Sequence, residues 1–167
     1  MLKLATLVIS AAFLNVLFLP IPSHATNEQL SCLALNIFHE ARGEPKLGQY
    51  AVAHVTKNRV DSKLYPASYC GVVTQGKYRT TQNGKMIPVK NMCQFSWWCD
   101  GKGDEVLPSE YPEWEAAYAV AINVFTGKHT KDPTKGALNY HADYVSPKWA
   151  KKFKKTASIS RHIFYKP

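Results

Sequence analysis

Phe38-His39-Glu40-Ala41-Arg42-Gly43-Glu44-Pro45 is the stretch whose reading decides the fold. Upstream of Glu40, apolar residues recur at Leu30, Leu33, Ala34, Ile37 and Phe38, and Ala41 follows, the spacing of one helical face. Asn27 or Ser31 is the expected cap of that helix. Gly43 and Pro45 stop it. A second helix is predicted from about Leu47 to Val60, with Leu47, Ala51, Val52, Val55 and Val60 available for packing. Glu40 lies three residues after Ile37, at the margin of the first apolar face and at the seam of the two helices.

An acid in that place suits one kind of chemistry. Cleaving a glycosidic bond needs a proton delivered to the leaving oxygen, and a carboxyl still protonated near neutral pH delivers it. Burial against Ile37 and Phe38 disfavours the charged form of Glu40. The carbonyl end of the helix disfavours it further. Arg42 would oppose both effects if it faced Glu40. Glu44 lies beyond Gly43 and is expected to be more exposed, with a structural role in capping the second helix. The plainer alternative for Glu40 is a helix-terminal acid paired with Arg42 or Lys46. His39-Glu40 does not open a zinc-protease motif, because Gly43 stands where the second histidine would be. No metal and no other cofactor is expected.

Further along, Tyr69 to Thr74 reads as a short strand or a helical turn, and Gln82-Asn83-Gly84-Lys85 as the tip of a hairpin. Gln94, Phe95, Ser96 and Trp97 combine aromatic faces with amide and hydroxyl groups, which suits pyranose rings and their hydroxyls. An ordinary core segment with Phe95 and Trp97 buried is the competing reading. Tyr140 or His141 is a further candidate for the same cleft. A third helix is predicted through Trp114, Ala117, Tyr118, Ala121, Val124 and Phe125, ended by Gly127. Two short strands, Leu138 to Tyr144 and His162 to Tyr165, are expected around a basic helical turn at Ser146-Pro147-Lys148-Trp149.

The 167-residue chain carries a net charge of +9. Its first 25 residues read as a secretory leader: Lys3, an apolar run from Leu4 to Leu19, helix-breaking Pro20 and Pro22, and Ser23-His24-Ala25 before the cleavage point. An uncleaved anchor is the alternative. One domain, Thr26 to Pro167, is expected outside the cytoplasm as a monomer. Lys148, Lys151, Lys152, Lys154 and Lys155 crowd one segment, which suits anionic envelope polymers or is simply a solvated face. Four cysteines in an exported domain suggest two disulfides. Of three pairings, Cys93–Cys99 with Cys32–Cys70 is favoured. The chain-entropy cost in the unfolded state makes these worth about 2.4 and about 3.9 kcal/mol.

Two-carboxylate glycosidases need a second acid about 5–10 Å from the first. Glu44, Asp61, Asp100 and Asp143 are the candidates, and none is compelling by position. A single acid suffices for another route. It protonates the leaving oxygen, then accepts the proton of the sugar's own C6 hydroxyl, giving an anhydro sugar.

With these blocks in view, the chain resembles the cell wall hydrolases related to the spore cortex-lytic enzyme SleB. The resemblance rests on Phe38 to Pro45, Gly48-Gln49-Tyr50-Ala51-Val52-Ala53, and Asn58-Arg59-Val60. It continues through Cys93 to Trp97, Cys99-Asp100-Gly101, Ala137 to His141, Ser146 to Trp149 and His162 to Tyr165. It implies an α+β, lysozyme-like fold, mostly helical with a small antiparallel sheet. It implies lytic transglycosylation of the MurNAc–GlcNAc β-1,4 bond of peptidoglycan, with the catalytic glutamate at Glu40. The resemblance covers a catalytic domain alone, so the basic segment is expected to serve in targeting. A hydrolytic muramidase is the nearest rival. A non-catalytic, basic wall-binding module is the rival from another class. Scattered histidines without a metal motif speak against a nuclease, an amidase or a zinc peptidase, and no nucleic-acid partner is expected.

Overall fold

The structure, a computed structural model, describes residues 23–167. Residues 1–22 of the expected leader lie outside the described residues. Helix α1 runs Ser23–Ala41, α2 Lys46–Asp61, α3 Tyr69–Val73 and α4 Tyr111–Phe125. Strands β1 (Gly76–Thr80) and β2 (Met86–Cys93) form an antiparallel ribbon. Strands β3 (Asn139–Ala142), β4 (Lys154–Ile159) and β5 (His162–Lys166) form an antiparallel sheet in the order β3-β5-β4. The fold is α+β, mostly helical with small antiparallel sheets, as expected.

Helix α2 is the hinge of the packing. One side meets α1 and α4: Ala53 joins Leu33, Ala34, Ile37, Phe38, Ala117, Val120, Ala121 and Val124 in one core. Its other side meets the sheet, where Ala51 and Val55 pack on Ala137 and Phe164. A third cluster joins α3 to the aromatic segment through Val72, Val73, Phe95 and Trp97. Buried Asn36 ties these layers together. Its Nδ2 donates to Thr56 Oγ1 and its Oδ1 accepts from Trp97 Nε1, each at 3.0 Å.

Several expectations need correcting. Among the described residues the first helix already runs from Ser23, so Asn27 and Ser31 lie inside it and cap nothing. Leu47 is 56% exposed and packs in no core, because it sits on the outer face of the first turn of α2. Strand β4 was hidden in the lysine-rich stretch. It is an edge strand paired only to β5, so its outward positions carry charge and the apolar alternation is weak. The region Tyr69 to Thr74 resolves as helix, capped by Ser68 through its bond from the Gly71 amide. The hairpin tip lies where Asn83-Gly84 predicts it, with Gly84 at φ +79°.

Both favoured disulfides are present, Cys32–Cys70 and Cys93–Cys99. The first pins α1 to α3. The second holds the end of β2 against the short 3-10 turn Ser96–Cys99.

Candidate active site

A cleft of about 870 Å³ opens between the end of α1, the aromatic segment and the β3–β5 sheet. It is large enough for a short stretch of glycan. Glu40, Gln94, Phe95, Ser96, Trp97 and Tyr140 all line it. The predicted site residues, which lie up to 100 positions apart, therefore share one wall system.

Glu40 stands on the last turn of α1 with its carboxyl turned into the cleft floor. Tyr140, delivered by β3, donates its hydroxyl to Glu40 Oε2 at 2.8 Å. Burial pushes the Glu40 carboxyl above the ordinary glutamate value; the Tyr140 hydrogen bond and the charge of Arg59 pull back only part of that. The Tyr140 hydroxyl is itself raised well above the usual tyrosine value by burial and by the Glu40 charge, so it stays a donor.

The neighbours differ from expectation in two ways. Arg42 does not face Glu40. It donates to Glu110 Oε1 at 2.8 Å, and its guanidinium lies over the Phe38 ring. Glu44 is 8% exposed, more deeply placed than predicted, and does not cap α2, whose N-cap is Pro45. The tight approach of the β4–β5 turn covers it. Arg161 donates its Nε to Glu44 Oε1 at 2.9 Å and its backbone amide to Oε2 at 3.4 Å. Burial pushes the Glu44 carboxyl up, but the Arg161 hydrogen bonds outweigh it and hold the group below the ordinary value. Gly48 permits this fit: a Cβ there would come within 2.9 Å of Glu44 Cβ and 3.3 Å of Ser160 Oγ.

The aromatic segment serves both of its predicted readings. Phe95 and Trp97 are buried core residues whose edges reach the cleft, while Gln94 and Ser96 are exposed along it. Trp97 stacks on His39 with ring centres 4.3 Å apart. His141 also reaches the cleft, its Nε2 in a 3.0 Å hydrogen bond with the Tyr165 hydroxyl.

Of the second-acid candidates, Asp100 reaches the cleft; Glu44, Asp61 and Asp143 do not line it. Asp104 and Glu105 do, from a loop that periodicity does not place, and Glu110 does from the 3-10 turn that leads into α4. Among the described residues, Tyr140 alone is hydrogen-bonded to the Glu40 side chain. Arg59 and His162 also line the cleft and had no predicted role. Arg59 carried a readable signal. It follows Val52, Val55 and Thr56 by seven, four and three residues, so a cation falls on the buried face of α2.

A family model for the Cell Wall Hydrolase domain matches residues 43–165. The chain belongs to the cell wall hydrolase family. It is 27% identical to a spore cortex-lytic enzyme of Bacillus cereus over 148 residues, covering 87% of this chain and 47% of that protein. A second spore cortex-lytic enzyme, from Bacillus subtilis, is 44% identical over a shorter stretch of 52 residues, 31% of this chain and 17% of that one. The chain thus spans less than half the length of these relatives. Among solved structures, the catalytic domain of the Bacillus cereus SleB protein superposes with a TM-score of 0.59 at 29% identity, covering 84% of this chain and 91% of that domain. The catalytic domain of the germination-specific lytic transglycosylase SleB from Bacillus anthracis gives 0.63 at 28%, covering 87% and 100%. The fold is therefore the lysozyme-like fold of these catalytic domains.

Proposed function

We propose that this protein cleaves the β-1,4 bond between MurNAc and GlcNAc in peptidoglycan, as a lytic transglycosylase with Glu40 as its single acid and base. The observation that carries this reading is the half-buried Glu40 carboxyl in the cleft, raised by desolvation and held by the Tyr140 hydroxyl. Glu40 protonates the glycosidic oxygen as the bond to C1 breaks. The C6 hydroxyl oxygen then closes on C1, and Glu40 takes its proton. Atoms balance without water, and the product ends in 1,6-anhydro-MurNAc.

Gln94, Ser96 and the edges of Phe95 and Trp97 would receive the sugar rings and their hydroxyls. Membership of a cell wall hydrolase family and likeness to a lytic transglycosylase domain support the substrate class. Export of the chain follows from the same substrate. The exposed lysines from Lys148 to Lys155 would hold anionic polymers of the envelope.

The test is mass spectrometry of fragments released from purified peptidoglycan by the wild type and by Glu40→Gln. Anhydro ends from the wild type alone are expected. Reducing ends would assign a hydrolytic muramidase using one of the cleft's acidic residues. Undiminished release by Glu40→Gln would sink the role of Glu40, and binding without any release would leave a wall-binding module.

A further inference from the structure

One charged group on the cleft wall is left without work by the scheme above. Arg59 on α2 is 4% exposed. Its guanidinium lies 4.9 Å from the centre of the Phe95 ring and 5.1 Å from that of Tyr65. Nε donates to the Leu138 carbonyl at 2.8 Å. Nη1 is buried with no hydrogen-bond partner. None of the ion pairs among the described residues includes Arg59. A buried cation without a counter-ion is costly, and guanidinium cannot shed its charge.

Arg59 lines the same cleft as Glu40 and the Tyr140 hydroxyl bound to it, and its positive charge favours the ionised form of both. Other titratable groups on the cleft are engaged elsewhere or carry no bond to Glu40. Glu110 holds Arg42, His39 stacks on Trp97, His141 binds Tyr165, and His162 lies edge-on to the Tyr140 ring. Asp104 also lines the cleft, its backbone carbonyl 3.4 Å from His39 Nε2, and makes no bond to Glu40.

Resting on the reading of Glu40 as acid and base, we propose that Arg59 is a positioning residue, a fixed positive charge that lets Glu40 turn from proton donor to proton acceptor within one turnover. When the proton leaves Glu40 for the glycosidic oxygen, a carboxylate is left where burial opposes charge. Arg59 and the Tyr140 hydroxyl stabilise that carboxylate together. It persists until the C6 oxygen bonds to C1 and the C6 hydroxyl proton returns to Glu40. Burial alone would raise the cost of forming that carboxylate. The aromatic rings of Phe95 and Tyr65 and the Leu138 carbonyl hold the cation in place, so no reorganisation is needed as the charge appears.

The experiment is a carbon-13 NMR titration of the Glu40 carboxyl in the wild type, Arg59→Met, Arg59→Gln and Arg59→Lys. Removing the charge is expected to move the Glu40 midpoint up by about one pH unit or more. The lysine variant keeps the charge and is expected to stay near the wild type. The alkaline limb of the activity profile should move with the midpoint in the neutral variants. A midpoint unchanged in Arg59→Met or Arg59→Gln would overturn the proposal. Should neither neutral variant fold, the wild type decides through its own Arg59 Nε–H resonance. That resonance must titrate with the Glu40 midpoint and stop titrating in Glu40→Gln; a resonance indifferent to Glu40 overturns the proposal. The titration does not depend on the reaction. Coupled groups in a protein that releases no glycan would count against the functional reading, whereas uncoupled groups in an active enzyme would count against Arg59.

Discussion

The two sides of the α1–α2 turn carry two glutamates four residues apart, and the molecule treats them in opposite ways. On the cleft side, Glu40 meets a tyrosine hydroxyl, and desolvation raises its carboxyl. On the sheet side, Glu44 exposes less surface than Glu40 but meets Arg161 from the β4–β5 turn, which outweighs burial and lowers it. Burial is common to both; the partner decides the sign. A carboxyl with a donor that stays neutral keeps its proton available, while one with a bound cation becomes a fixed anion that fastens two elements.

The sharpest way to break this contrast is to neutralise each acid in turn. Glu40→Gln should lower release of glycan fragments by roughly 10³-fold, within the range of a lost general acid. Glu44→Gln should stay within severalfold of the wild type in the same assay. Equal losses would show that both acids serve catalysis or that both merely hold the turn.

Next in size is Tyr140→Phe. It removes the hydroxyl that favours the Glu40 carboxylate, so the Glu40 midpoint should rise and the alkaline limb of the activity profile should move up. The rate at the optimum should fall by roughly 10-fold, the worth of about one charge-assisted hydrogen bond. A profile that falls without moving would place Tyr140 in packing alone.

Stability should separate the two acids by the direction of its pH dependence. Glu44 is lowered on folding, so its contribution is present above the unfolded carboxyl value of about 4.3 and is lost as pH falls through the lower folded value. Glu44→Gln should therefore cost about 1–2 kcal/mol at pH 7 and less in acid, read from urea unfolding at both. Glu40 is raised, so its contribution is full below the unfolded value and is lost as pH rises through the folded one. Glu40→Gln should then unfold at a higher urea concentration than the wild type at pH 7, with the difference vanishing near pH 4.

The smallest effect belongs to Arg42. Its pair with Glu110 is largely exposed, so Arg42→Ala should change stability by less than about 1 kcal/mol and leave the Glu40 midpoint where it is. A displaced midpoint would return Arg42 to the neighbourhood of Glu40.

Much of this was legible from residue order. The periodicity of Leu33, Ala34, Ile37 and Phe38 gave the helix, and Gly43 and Pro45 its end, so Glu40 could be placed at a seam. The disulfide pairing favoured among three possibilities is the one the structure holds. Partners across the chain were harder. Tyr140 was a candidate for the cleft, but its bond to Glu40 spans 100 residues and no local pattern encodes it. The depth of Glu44 was misjudged because its cover, the β4–β5 turn, belongs to a strand pair whose edge member carries lysines where an apolar alternation would have revealed it.

By itself, then, the sequence determined the three long helices and the candidate acid and favoured one cysteine pairing, because periodicity and breakers act over a few residues. Only the tertiary structure decided what surrounds that acid. Arg42 turned to Glu110, Arg161 closed on Glu44, and Tyr140 with Arg59 came to Glu40 from other elements. The charge state of a buried carboxyl depends on the few groups within reach of it, and packing chooses those groups without regard to their distance along the chain.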